Sequence, residues 1–375
     1  MNSGNRKKVL FILHIPPPIH GSSVVGKYIM DNILINKLFD CWYVNLTTSI
    51  SVIEIGKLRL NKFFKYWSIM WKALWSIAIW KPNLCYIAIT AKGTAFYKDT
   101  FLVILSKLFG IKILYHFHSK GVSTRQNNFL DNLLYRFVFR NAHVILLSKY
   151  LYTDIQKYVK EEQVHYCPNG IPVIPDMNFK LLSSNREAKK VPEILFLSNM
   201  MKEKGVYILL EACKILHNKG VTFITWFIGS WLDINENDFN DFVFFNNLKE
   251  NVFYGGAKYG TEKSVYFERA NIFVFPTYYN NEVFPLVILE AMQYGLPVIS
   301  TREGGIPDIL EDGETGFLVN KNDLIDLADK MELLINNPFL CQQMGAAGKN
   351  KFQNNYTISI WENKMFNILK EVANK

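Results

Sequence analysis

At 375 residues the chain is too long for one ordinary core and suits two domains, and a composition of 49% hydrophobic and 15% aromatic residues excludes a disordered protein. Five cysteines, Cys41, Cys85, Cys167, Cys213 and Cys341, are scattered without a CxxC or histidine-linked spacing, which argues against a disulfide framework or a zinc site and for a reducing cytoplasm. The net charge of +9 is unevenly spread: up to Pro175 there are 22 Lys and Arg against 8 Asp and Glu, and beyond it 20 against 25. The basic aromatic half suits nucleic acid, an anionic membrane surface or a phosphate-bearing substrate, and no nucleic-acid motif supports the first.

The chain opens with MNSGNRKKVLFILHI, whose basic start and short apolar run mimic a signal peptide. The run is too short and lacks a small-residue cleavage site, so it reads as a first buried strand. Nowhere is there a stretch of about 18 uncharged apolar residues, so no spanning helix is expected. Strands are predicted at 9–15, 41–46, 84–90, 112–118, 143–147 and 164–167, alternating with helical patterns. Such alternation implies a parallel sheet with helices on both faces and ligands at the strand C-terminal ends.

The first strand end reads PPPIHGSS. Its prolines stiffen the exit, Gly21 is expected to allow close backbone approach, and Ser22 or Ser23 to cap the next helix. Residues 58–81 form an amphipathic helical pattern. Lys62, Lys65, Ser68, Lys72 and Ser76 fall on one side, and Phe63, Trp67, Met70, Trp71, Leu74 and Ala78 on the other. Two readings stay open for this helix: a cover for the sheet, or an element lying at the membrane interface, where Trp and Lys are favoured. A further strand end, ILYHFHSKG, places His116 and His118 on one face of a strand, but no third metal ligand stands nearby in sequence.

Domain boundaries are expected at 1–170 for the first Rossmann-like domain, 171–192 for a proline-containing linker and 193–357 for the second domain, with 358–375 a helix returning to the first. In the second half, EILFLSN, FITWFIG, NVFYGG, NIFVFPT and LPVIS are strand candidates. SNMMKEKGVY sets Lys204 and Gly205 at a helix start just past a strand, where the lysine can neutralise an anion; a solvated turn is the plainer reading. Gly229 and Gly256 follow two other strands.

The densest signal is FVFPTYYNNEVFPLVILEAMQYGLPVISTREGGIPDIL, residues 273–310. Pro285, preceded by Phe284, is expected at the first helical position, leaving the amides of Leu286 and Val287 without intrahelical acceptors and suited to an anion. Glu282 lies before that helix and Glu290 on its second turn. The plain alternative, two surface acids, sits poorly with Glu290 between Leu289 and Ala291 in a strongly apolar helix.

A glutamate, seven residues, a second glutamate, then AMxxGxPVIST and a GG(I)P turn resemble the donor-site signature of retaining glycosyltransferases of family 4. The resemblance extends more weakly over nearly the whole chain and implies an α/β GT-B fold, two Rossmann-like domains with parallel sheets facing a central cleft. It implies a nucleoside-diphosphate sugar as donor, a UDP-sugar being favoured, with no further cofactor. In that family the first glutamate contacts the transferred sugar, the second the ribose and the helix start between them the diphosphate, which would be Glu282, Glu290 and the amides around Phe284, Pro285, Leu286 and Val287. Many members have glycine where Pro285 stands. The family's sugar-pocket histidine would be His118. Lys204 would meet the leaving diphosphate with Gly205 beside it, but the arginine usually paired with that lysine is Asn199 here. Gly229 and Gly256 would flank the nucleotide base, and the loop at His20 and Gly21, where members often have two glycines, would touch donor diphosphate or acceptor.

No D-x-D occurs, so metal-independent transfer with retention is expected. The acceptor would be a glycan or lipid-linked glycan, as in bacterial surface polysaccharide synthesis. A cytoplasmic protein with peripheral contact to the inner face of the plasma membrane is the corresponding localisation. The competing classes are an epimerase of the same fold, which would act without acceptor, a non-catalytic sugar-nucleotide sensor, and a nucleic-acid binder using the basic half.

Overall fold

The computed structural model describes residues 6–18, 21–47, 60–175, 182, 184, 186 and 189–374, with the side chains of 60–64 left aside. The chain divides into two compact units, Met1–Asn169 with Ser359–Lys375, and Gly170–Ile358. Each is built on a six-stranded, wholly parallel sheet.

The first sheet comprises β1 (Lys8–Leu13), β2 (Asp40–Asn45), β3 (Leu84–Ile87), β4 (Lys112–His116), β5 (His143–Leu146) and β6 (Val164–Tyr166), in the order β2-β1-β3-β4-β5-β6. The second comprises β7 (Glu193–Leu197), β8 (Ile224–Ile228), β9 (Val252–Tyr254), β10 (Ile272–Phe275), β11 (Val298–Thr301) and β12 (Gly316–Val319), in the order β12-β11-β10-β7-β8-β9. Central strands such as LCYI in β3 and IFVF in β10 are buried along their whole length. That is why they read as continuous apolar runs: helices cover both faces of a parallel sheet, and burying each large side chain contributes about 1.5–3 kcal/mol. β12, GFLV, went unpredicted; it follows directly on the polar turn at residues 311–315 with no helical pattern between it and β11 long enough to announce it.

The longer helices that position the sites are α1 (Gly21–Asp31), α2 (Leu60–Trp75), α3 (Gly93–Leu108), α4 (Phe129–Phe139), α5 (Val206–Asn218), α6 (Gly260–Arg269), α7 (Leu286–Gln293) and α8 (Ile358–Asn374). Right-handed crossovers put α2, α3 and α4 on one face of the first sheet and α1 on the other. On that other face Trp361 of α8 is buried, with its ring 6.0 Å from that of Tyr28 on α1.

Two local expectations need correction. Beside Gly21 no protein atom lies within 4 Å of an added Cβ, whereas one on Gly26 would come within 1.9 Å of the His14 carbonyl oxygen. Nor does a serine cap α1, since Ser23 lies inside the helix and its hydroxyl donates to the Pro18 carbonyl at 2.8 Å. The expected faces of the 58–81 helix are also rotated. Its buried line is Ile69, Met70, Ala73, Ser76 and Ile77, while Trp67 and Trp71 are exposed. Aromatic size marks the wrong side here: the smaller Ile69, Ala73 and Ile77 pack inward, the Ser76 hydroxyl is satisfied within the helix by the Lys72 carbonyl at 2.8 Å, and after Trp75 the chain continues as a π-helical turn, Ser76–Trp80.

Candidate donor site and strand-end loops

In the second unit the site starts from a turn clasped to a loop. β7 ends at Leu197, and the chain turns through a 3-10 segment, Lys202–Lys204, before Gly205 opens α5. Gly205 has φ +90°, and a Cβ there would come within 2.3 Å of the Pro276 carbonyl oxygen. The adjacent Glu203 carbonyl accepts a hydrogen bond from the Tyr278 amide at 2.8 Å. The turn is thereby pinned to the loop that leaves β10, and only glycine fits so close at that backbone angle.

Pinning delivers Lys204 to Glu282. The ammonium Nζ lies 2.6 Å from Glu282 Oε2, and it also sits over the ring of Tyr279 at 4.6 Å from the centroid. Only 18% of the lysine side chain and 9% of the glutamate side chain are exposed, so little water screens the pair. Breaking such a pair from one side leaves an uncompensated charge, which makes the two residues depend on each other. Glu282 is fixed by its own backbone as well. Its amide donates to the Tyr279 carbonyl, and the Gly305 amide donates to the Val283 carbonyl at 2.7 Å. Gly304, with φ +55°, lies against the Glu282 carbonyl oxygen, which an added Cβ would approach to 2.3 Å. The GG(I)P turn therefore braces the loop that carries the carboxylate.

α7 begins at Leu286, with Pro285 as the N-cap residue at φ −71° and ψ 116°. Pro285 thus stands one position earlier than expected, held extended by the loop before it. The first-turn amides of Leu286 and Val287 keep their freedom from intrahelical acceptors, and the proline N-cap has no side chain to satisfy them. Half-buried Leu286 and Val287 place this positive helix end at the surface, while Phe284 is buried edge-on against Tyr356 at 5.9 Å.

Glu290 has a cation of its own. Its Oε1 lies 2.6 Å from Nζ of Lys263 on α6, and both side chains are about a quarter exposed. Lys263 was not anticipated: the two residues sit on different helices, with no local spacing to connect them. Arg186 was missed as well. Its buried guanidinium donates to the carbonyls of Phe267, Glu268 and Tyr294, tying together the C-terminal ends of α6 and α7. Burial lowers its pKa to about 10, yet it remains charged at neutral pH and suits the negative ends of two helix dipoles.

The other strand ends of this unit converge. The Gly229 amide donates to the Gly256 carbonyl at 3.0 Å, the Tyr254 hydroxyl donates to the Gly229 carbonyl at 2.7 Å, and the Trp231 ring lies on Tyr254 at 4.1 Å. Asn199 is exposed just after β7, and Lys202, also exposed, has its amide bonded to the Asp233 carboxylate at 2.9 Å.

In the first unit, His118 lies half-buried just past β4, its ring 4.1 Å from that of His116. His116 is fully buried with Nδ1 hydrogen-bonded to the Tyr86 hydroxyl, and burial drives its pKa well below the usual histidine range. It is a neutral core residue. The loop after His118 is held by Asp154, whose carboxylate accepts from the amides of Gly121, Val122 and Ser123 at 2.8–3.1 Å, an anchor that sequence spacing did not reveal. Gly21 is the first residue of α1, and His20 lies outside the described residues. Among the described residues no group of three His, Cys, Asp or Glu side chains is placed to hold a metal ion, and no helix is long and apolar enough to cross a membrane.

Two Rossmann-like units of this topology make a GT-B fold. The chain superposes on a sucrose-phosphate synthase from Thermosynechococcus elongatus with a TM-score of 0.75 at 19% identity, covering 98% of this chain and 99% of that one. It also superposes on HepE of Anabaena in complex with UDP, with a TM-score of 0.73 at 15% identity, covering 97% and 100%. Residues 178–351 match the family model of glycosyl transferases group 1, and the second unit carries a domain of that family. Over 205 residues the chain is 32% identical to the capsular polysaccharide biosynthesis glycosyltransferase CapM of Staphylococcus aureus, a match spanning 52% of this chain and about half, 53%, of that relative.

Proposed function

We propose that the protein transfers a sugar from a nucleoside-diphosphate sugar to a glycan or lipid-linked acceptor, with retention of anomeric configuration and without a metal, in the synthesis of a bacterial surface polysaccharide. The observation that carries this reading is the solvent-shielded Lys204–Glu282 pair beside the uncapped start of α7. A diphosphate brings charge that the Leu286 and Val287 amides, the helix dipole and Lys204 can offset together. On this reading a bound diphosphate draws Lys204 toward itself, freeing Glu282 for the hydroxyl groups of the transferred sugar. Glu290, steadied by Lys263, takes the ribose. The Gly229 and Gly256 loops flank the base, with Asn199 offering a hydrogen bond where related enzymes have a charge. The UDP complex of HepE supports a uridine diphosphate donor.

In the step itself the anomeric carbon–oxygen bond breaks toward an oxocarbenium-like state, and its electron pair leaves on the β-phosphate oxygen. The acceptor hydroxyl attacks from the same face and passes its proton to that oxygen. No enzymic nucleophile takes part. His118 and the loop at Gly21 belong to this proposal as first-unit contributors to sugar or acceptor recognition. So does a cytoplasmic location with peripheral contact to an anionic membrane.

A thermal-shift panel of sugar nucleotides in excess EDTA tests the reading. A donor at 100 times its dissociation constant is expected to stabilise the protein by about 2.7 kcal/mol. If no nucleotide shifts the melting curve, or shifts appear only when manganese or magnesium is restored, the proposed diphosphate site is wrong.

A further inference from the structure

On the first unit, α2, α3 and α4 form one continuous surface. The Tyr66 hydroxyl of α2 donates to the Lys98 carbonyl of α3 at 3.2 Å, and the Tyr97 hydroxyl of α3 donates to Asp131 of α4 at 2.6 Å. Lys107 of α3 lies over the ring of Phe137 on α4 at 5.2 Å from its centroid. Along α2 the residues Trp67, Trp71 and Trp75 recur at helical spacing on the exposed side, Trp71 being 70% exposed. Along α4 Phe129, Leu133 and Phe137 do the same, Phe129 being 85% exposed. Large apolar side chains aligned in this way on a surface mark a place of interaction.

Charge says with what. Between residues 60 and 153 the chain has 13 Lys and Arg against two acids, Asp99 and Asp131. Both acids point inward. Asp99 is buried and accepts from the Thr90 amide at 2.8 Å, and Asp131 is buried between Arg125 and Tyr97. The three helices therefore present lysines and arginines with no exposed carboxylate among them. A polyanion groove would call for base-stacking aromatics along a basic track, whereas leucine and phenylalanine stripes interleaved with tryptophan and lysine match a lipid headgroup boundary.

We propose that this three-helix face seats on an anionic phospholipid bilayer, its Trp and Phe side chains entering the headgroup boundary and its Lys and Arg side chains meeting lipid phosphates. The inference rests on the membrane contact proposed above and extends it from one helix to a surface of three. In function the face would hold the enzyme at the layer where a lipid-linked acceptor lies.

The test is sedimentation of the full chain with phosphatidylcholine vesicles, with and without phosphatidylglycerol, at low and high salt. The parent is expected to partition at least tenfold more strongly to anionic vesicles at low salt, since each basic residue near such a surface contributes about 1 kcal/mol. Lys72→Glu with Arg136→Glu should lower partitioning about tenfold or more. Trp71→Ser with Phe129→Ser should lower it on neutral and anionic vesicles alike. All four side chains are exposed, so the melting temperature and the UDP-induced thermal shift should stay at parent values. Quenching of tryptophan fluorescence by brominated lipid gives a second readout, which Trp67→Phe with Trp71→Phe should reduce to the share left by Trp75. Equal binding to neutral vesicles, variants that bind like the parent, or binding of duplex DNA in place of vesicles would overturn the proposal. Loss of the UDP shift with vesicle binding intact would instead count against the donor site alone.

Discussion

The two units share one architecture, six parallel strands under helices, and use their surfaces in opposite ways. The second unit concentrates charge at its strand ends as matched pairs: Lys204 with Glu282, Lys263 with Glu290, and Lys321 with Glu303. In the first unit the acids of α3 and α4 are buried, Asp131 against Arg125, and Lys98, Lys107 and Arg136 of those helices form no salt bridge among the described residues. Matched pairs beside a free helix end suit a small anion that can exchange with one partner. Unmatched cations among exposed aromatics suit an extended anionic surface. The difference teaches that fold alone is silent about partner size, and that the placement of carboxylates decides it.

The comparison breaks most sharply at the second unit's ion pair. Lys204→Met should lower the rate of transfer by about 10²–10³, the usual cost of losing one preorganised group that stabilises developing charge. Steady-state kinetics with a donor identified by thermal shift would measure it, and a change below about threefold would show that Lys204 is structural.

A smaller effect is expected from the brace behind Glu282. Gly304→Ala places a Cβ within 2.3 Å of the Glu282 carbonyl oxygen at a backbone φ of +55°. It should cost about 2–3 kcal/mol of stability by denaturant titration and reduce transfer as the loop shifts. Parent-like values for both would mean that the loop accommodates the change.

In the first unit the sharpening variant is Asp99→Asn. Burial raises the Asp99 pKa from 3.8 to about 7, so the folded state holds a proton that the unfolded state releases. Stability is then greatest below about pH 4 for this group and declines as pH rises toward 7. Asparagine keeps the acceptor for the Thr90 amide and has no such proton to lose. The variant should match the parent near pH 4 and exceed it by up to about 4 kcal/mol at pH 8, measured by urea titration across that range. An unchanged pH slope would place the charge elsewhere.

Much of this was legible from the chain. Buried parallel strands read as unbroken apolar runs, so the strands of both sheets stood out except β12, which follows β11 with only a four-residue helix between them. Lys204 and Glu282 were legible one at a time, through a lysine-glycine turn after a strand and a glutamate before a helix; their contact was not, being made across 78 residues by the clasp at Gly205. Helix-wheel reasoning failed on residues 58–81 because the large Trp67 and Trp71 stand on the exposed side while the smaller Ile69, Ala73, Ser76 and Ile77 face the core. The position of Pro285 was off by one because an extended proline at the N-cap and a helical proline after it look alike in sequence. Lys263 and Arg186 carried no signal, since each acts on a helix distant in the chain.

In the proposed site Glu282 meets the reacting sugar while Glu290 holds the nucleotide. The most direct measurement is the kinetics of Glu282→Gln beside Glu290→Gln, with the anomeric configuration of the parent's product read by NMR. The account predicts a retained anomer, a loss in kcat of about 10² or more for Glu282→Gln with little change in donor KM, and a donor KM raised about tenfold for Glu290→Gln. An inverted product, or kcat and KM left unchanged in both variants, would contradict it.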